Sequence, residues 1–296
     1  MRKTKRLLLR GKGFTLTEMA IVLLIVGLLA GAILPIAGTM LDQQSRRETA
    51  NKLAALDQAL LNFVMTNKRL PCPADGTTAS AVAGAGVEQR IPATGACNPA
   101  NEINGVVPWA TLGLGEAAGT DAWGTRFTYR VQTNPNGFTR DNALDATACD
   151  PAAADPAANA ITTFCPTSPK GFVQNRGLAV LDEAGTPINH PGNGTGAAYV
   201  LISHGRIGGG GYNSAGNLVT SSTPAGNNER QNWNNRAIWP PPAPAIPLTA
   251  PTPASSYFHD SRLMEDTASN THFDDLVSHP TIMSLLLQAQ LAPRKP

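Results

Sequence analysis

The stretch GKGFTLTEMAIVLLIVGLLAGAILP, Gly11 to Pro35, sets one carboxylate, Glu18, at the head of a run otherwise suited to hydrocarbon. Arg2, Lys3, Lys5, Arg6, Arg10 and Lys12 precede it, with no acidic residue among them. Met19 to Leu41 carries no charge over 23 residues. At about 1.5 Å per residue such a helix reaches about 35 Å, enough for a hydrocarbon core of about 30 Å. The basic flank predicts that the N-terminal end stays in the cytoplasm and that the rest of the chain lies across the membrane. An ordinary secretory signal is the rival, with Ala30-Gly31-Ala32 as its cleavage triplet and a product beginning near Ile33.

The helical pattern outlasts the apolar run. Leu53, Leu56, Leu60, Phe63 and Val64 recur at three- and four-residue intervals, and Arg47, Asn51, Gln58 and Asn62 take the opposite side. No Gly or Pro interrupts Thr39 to Leu70. One rod is therefore expected from about Phe14 to about Asn67, ended by Pro71, with its far half packed on a domain. Pro35 lacks the N–H that would bond the Gly31 carbonyl and should loosen the helix there.

Of the 296 residues, the six leading cations account for the sign of the net charge. The formal +2 becomes −4 without them. A chain-wide basic footprint for nucleic acid is therefore absent after Gly13, and no nucleic-acid partner is expected. Many Gly and Pro residues with few aromatics predict long loops around a modest core.

A basic leader ending in Gly13, then Phe14, Thr15, Leu16, Thr17, Glu18 and an apolar run, resembles the N-terminus of type IV prepilins and of the pseudopilins of type II secretion systems. The resemblance covers about the first sixty residues. It implies that a prepilin peptidase cuts after Gly13, that the new amine of Phe14 is methylated, and that Gly27 and Pro35 are helix-loosening positions. It also implies partners: other pilin or pseudopilin subunits, the inner-membrane assembly platform and the lipid bilayer. A carboxylate near the membrane interior needs a counter-charge. None lies one turn ahead of Glu18, where Ile21 and Val22 sit, and cleavage would create one at Phe14. The resemblance implies that Glu18 of an incoming subunit pairs with the N-terminal amine of its neighbour.

Beyond Pro71, an irregular connection is expected from Cys72 to about Gly105. TRFTYRV, Thr125 to Val131, then alternates Phe127, Tyr129 and Val131 with polar residues, as a half-buried strand does. GLAVLDEAG reads as a second strand with a turn at Asp182 to Gly185, and AAYVLISHG as a third. DAWGTRFTY, Asp121 to Tyr129, is similar to a segment entering the sheet in major pseudopilins. The expected fold is α+β and pilin-like: a long N-terminal helix packed on an antiparallel sheet with long loops. The boundaries are a cleaved leader 1–13, a transmembrane helix 14–41, its amphipathic continuation 42–70 and a periplasmic domain 71–296. PPPAPAIP from Pro240 reads as a stiff connection, and Pro280 to Leu291 as a short helix.

Cys72, Cys97, Cys149 and Cys165 all fall on the oxidising side. Pairing by proximity gives Cys72 with Cys97 and Cys149 with Cys165, although four cysteines permit three connectivities. Zinc ligation lacks a CxxC pair. Asp141, Asp145 and Asp150 are candidates for calcium, an ion that the resemblance to major pseudopilins also suggests. Their spacing misses the EF-hand pattern, and a solvated acidic loop is the simpler reading. No other cofactor is expected.

No catalytic site is expected. Ser203 and His204 are adjacent, so on a strand they point to opposite faces and do not form a relay with Asp121. GRIGGGGYN, Gly205 to Asn213, lacks the Lys-Ser/Thr of a phosphate loop and reads as a hairpin or exposed loop. His190, His204, His259, His272 and His279 show no HExxH spacing. The adjacent carboxylates of FDDLV, Phe273 to Val277, read as a strand edge or helix start. The expectation is a minor pilin or pseudopilin subunit and not an enzyme. The alternative is a membrane-tethered periplasmic binding protein that uses the helix only as an anchor.

Overall fold

The computed structural model describes residues 15–98, 104–133, 136–157, 160–220, 226–233, 257–265 and 270–294, together with the backbone but not the side chains at 30 and 32–39. Gly13, Phe14, the basic leader and the PPPAPAIP segment lie outside the described residues. The elements in chain order are helix α1 Leu16–Asn67; strands β1 Ala74–Asp75, β2 Gly105–Val106, β3 Thr125–Arg126 and β4 Thr128–Val131; helix α2 Pro169–Val173; strands β5 Ala179–Leu181, β6 Pro187–Asn189, β7 Tyr199–Ser203 and β8 Tyr212–Asn213; helix α3 Asn227–Asn232; strands β9 Tyr257–His259 and β10 Leu276–Ser278; and helix α4 Ile282–Gln288.

The chain divides into two units, Met1–Ser45 and Arg46–Pro296. In the first, the apolar side chains from Leu16 to Leu29 are exposed around the whole helix, with Leu16 90%, Leu23 66% and Leu28 68% accessible. Among the described residues, no helix is long and apolar enough to cross a membrane. The expected span over 14–41 includes Phe14 and side chains outside that description. Gly27 sits in the helix with open space about its α-carbon, and Pro35 belongs to the helix span.

In the second unit the amphipathic pattern is realised. Leu53, Leu56, Leu60 and Val64 are buried, whereas Arg47, Asn51, Gln58 and Asn62 are exposed. They pack with Phe127, Tyr129 and Val131, with Tyr199 and Leu201 of β7, and with Ile282, Leu285 and Leu286 of α4. The main sheet is antiparallel with order β1-β2-β4-β7-β10. Polar contacts fix the helix on it. Tyr199 and Ser278 hydroxyls donate to the two oxygens of Asp57 at 2.9 and 2.7 Å, and the Lys52 ammonium donates to the Thr120 carbonyl at 3.0 Å. Burial raises the Asp57 pKa, with those two hydroxyls working against the shift.

Two expectations about the sheet need correction. Thr125 to Val131 is buried on both faces, not half-buried. While Phe127, Tyr129 and Val131 meet α1, Arg126 lies under the Trp109 ring, pairs with Glu116 at 2.8 Å and donates to the Gly76 and Thr78 carbonyls. The loops expected on the outside form a second layer, and they satisfy the polar face residue by residue. The GLAVL strand, β5, stands outside the main sheet, in a separate one of order β6-β5-β9 where β5 and β9 run parallel. Its Val180 and Phe258 pack with Val200 and Ile202, so β7 is also covered on both sides. The turn falls where expected: Asp182 accepts from the Ala184 and Thr186 N–H groups.

Asp121 Oδ1 accepts from the N–H groups of Trp123 and Thr125, a side-chain turn that feeds the chain into β3 with Gly124 at φ 88°. Such a turn is a physical reason for the DAWG pattern. At the exit of α1, Arg69 makes a forked pair with Glu88 at 2.9 and 2.8 Å, and the Cys72 N–H donates to the same carboxylate at 2.9 Å. Burial works against ionising Glu88, but the Arg69 and Cys72 bonds win and hold it below the usual carboxylate range. Both disulfides join the cysteines paired by proximity, Cys72–Cys97 and Cys149–Cys165. Zinc ligation by these cysteines is thereby excluded.

Candidate functional site

Two places gather chemistry: the head of α1 and a polar interior beneath the main sheet. At the first, Thr15 and Glu18 form a reciprocal cap. The Thr15 N–H and hydroxyl both donate to Glu18 Oε2 at 2.8 Å, and the Glu18 N–H donates to Thr15 Oγ1 at 3.3 Å. This is the Thr-x-x-Glu capping box of Thr15–Leu16–Thr17–Glu18, a role for Glu18 beyond the charge expected of it and one whose signal lies in the sequence itself. The carboxylate therefore stabilises the start of its own helix as well as carrying charge.

At the second, β7 and the loops beyond it bury Asp121, Ser203, His204, Glu229, Asn232, His259, His272, Asp274 and Asp275. The Ser203 hydroxyl donates to Asp121 Oδ2 at 2.7 Å, while His204 Nε2 bonds Thr128 Oγ1 at 2.8 Å. Neighbours on a strand thus turn to different partners, and these three residues form no relay. Burial raises the Asp121 pKa against the Ser203 hydroxyl and two backbone N–H donors. Burial, helped by Arg130, pushes His204 down to about 3, so its imidazole is neutral.

The segment His272 to Asp275 approaches β10 from one side and α3 stands against it. His272 Nδ1 lies 2.8 Å from Glu229 Oε2. Asp274 Oδ2 accepts from the Ile207 N–H at 3.1 Å, and the Asn232 amide donates to Asp275 Oδ2 at 2.9 Å and to the His259 carbonyl at 2.8 Å. Ligand atoms of Glu229, His272 and Asp274 lie within 4.8 Å of one another. Glu229 Oε1, Asp274 Oδ1 and Asp275 Oδ1 have no hydrogen-bond donor although they are buried. Burial, with Asp275 and Asp274 close by, pushes Glu229 up to about 10, and burial raises Asp275 well above its usual range. A β-carbon at Gly226 would strike the His272 backbone, and one at Gly205, whose φ is 56°, would strike Asp274. Glycine alone permits these approaches.

The acidic residues expected to attract calcium do not converge. Asp141 pairs with Arg90, Asp145 with Lys68 and the Thr147 hydroxyl, and Asp150 accepts from the Ala152 N–H. Gly205 to Asn213, expected as a hairpin or exposed loop, runs into a hairpin in which Tyr212 pairs with Leu218, but it is mostly buried, not exposed, because Gly210 and Gly211 let Trp233, Thr125 and His204 approach the backbone. FDDLV does lead into an edge strand, as expected, but its carboxylates are inside. Spacing gives no sign of the cluster, since Glu229 is 43 residues from His272. The alternation His272-x-Asp274 before a strand was the one local hint. Comparisons with protein families, with curated proteins and with solved structures give no match.

Proposed function

We propose that this chain is a prepilin-like structural subunit, a minor pilin or pseudopilin, cut after Gly13, methylated at Phe14, held in the inner membrane with its C-terminal domain in the periplasm, and assembled into a type IV pilus or type II secretion pseudopilus. One observation carries the reading. A helix of 52 residues begins with apolar side chains exposed on every side and ends with a single apolar face buried on an antiparallel sheet. Exposed apolar surface of that extent calls for lipid or for like helices. In the capping box both Thr15 bonds go to Glu18 Oε2. The other carboxylate oxygen is the one that would meet the amine of a neighbouring Phe14.

Mass spectrometry of the mature N-terminus tests the processing, with a methylated Phe14 expected; retention of Met1, or a start near Ile33, would overturn the proposal. Two variants then separate the roles of Glu18. If it acts between subunits, Glu18→Ala loses incorporation into filaments while Thr15→Ala, which breaks the same cap, keeps it. Equal behaviour of the two would reduce Glu18 to a helix cap. A tethered binding protein would instead tolerate replacement of 14–41 by an unrelated span.

A further inference from the structure

We propose that Glu229, His272 and Asp274 form a binding site for one divalent transition ion of the zinc type, built into the globular unit independently of its place in any filament. Buried polar atoms in folded proteins nearly always have partners, and a buried carboxylate without one is strongly disfavoured. Here Glu229 is 0% and Asp274 3% accessible, and each has an oxygen without a donor. Asp275, also buried, adds a third carboxylate beside them.

Two occupants would relieve that concentration of charge: a proton shared by Glu229 and Asp274, or a cation. The donor set favours the cation. An imidazole and two carboxylates from two segments bring one ligand atom each within 4.8 Å of one another, a spread that has to tighten to about 3.4 Å around a tetrahedral ion held by bonds of about 2.0–2.2 Å. The Ile207 N–H on Asp274 is a supporting bond of the kind that orients metal ligands. A cavity of about 310 Å³ lined by Asn227, Asn228, Asn270, Thr271 and Phe273 lies beside the segments that carry these residues, although Glu229, His272 and Asp274 do not themselves line it. Nitrogen ligation and few donors suit zinc, whereas calcium takes six to eight oxygens.

The test uses the untagged full-length chain in detergent with its disulfides intact, stripped with chelator and titrated with zinc chloride. About one zinc per chain should bind, and the melting temperature of the globular unit should rise by about 5 °C or more at a hundredfold excess over the dissociation constant. Glu229→Gln and His272→Gln should each weaken zinc at least tenfold, and Asp141→Asn should leave it unchanged. Should both site variants misfold, X-ray absorption of the zinc-loaded wild type decides, with imidazole and carboxylate scatterers expected. Coincident melts with and without zinc would mean a shared proton and overturn the proposal. So would zinc binding that survives both variants, a zinc shell without imidazole, or calcium that stabilises as much as zinc.

Discussion

The two halves of α1 are one helix written for two surroundings. From Leu16 to Leu29 the apolar residues cover the full circumference and every one described is exposed; from Leu53 to Val64 they keep to one face, and that face is buried. The backbone is the same in both. The difference teaches that helix formation alone says nothing about what a segment packs on, whereas the angular spread of its apolar side chains does. The second half also carries cross-links that the first lacks among the described residues, such as Asp57 to Tyr199 and Ser278.

The contrast is broken most directly by truncation. Leu60→Ala should destabilise the globular unit by about 3–4 kcal/mol in guanidinium unfolding of the full chain, whereas Leu23→Ala should leave that transition in place. Comparable losses would erase the distinction between the halves. The exit of the helix gives the next effect. Replacing Cys72 and Cys97 together by Ser should lower stability by about 3 kcal/mol in the chain-entropy account, since the bridge closes a 25-residue separation. An unchanged melt would mean that the Arg69–Glu88 pair alone holds this loop.

The smallest effect sharpens the comparison through pH. Glu88 is held below its ordinary pKa when folded, so its contribution is present above the unfolded value and is lost as pH falls through the folded one. Glu88→Gln should therefore cost about 1–2 kcal/mol near neutrality, allowing for partial exposure, and progressively less in acid. The wild-type and variant melting curves should converge below pH 4. A constant gap across that window would assign the loss to packing, not charge.

The parts of this fold that were legible in the sequence are those whose causes are local. The distal face of α1 follows from period, the Asp182 turn from side chain to backbone bonding over four residues, and each disulfide joins two cysteines that follow one another in the order of the four. The burial of Arg126 on β3 was not legible, because what covers it includes Gly76, Thr78, Ser80 and Trp109, well upstream in the chain. Nor was the Glu229, His272 and Asp274 cluster, which exists only once α3 meets the segment before β10. At Glu18 the local signal is Thr-x-x-Glu, which marks a helix start independently of the charge.

The outermost ribbons of the main sheet, β1 and β10, are two and three residues long. Little ladder is left over for another chain to continue. If many copies of this chain crowd side by side, their globular units therefore have scant means of zipping together strand to strand through the main sheet, and regular stacking has to be dictated elsewhere.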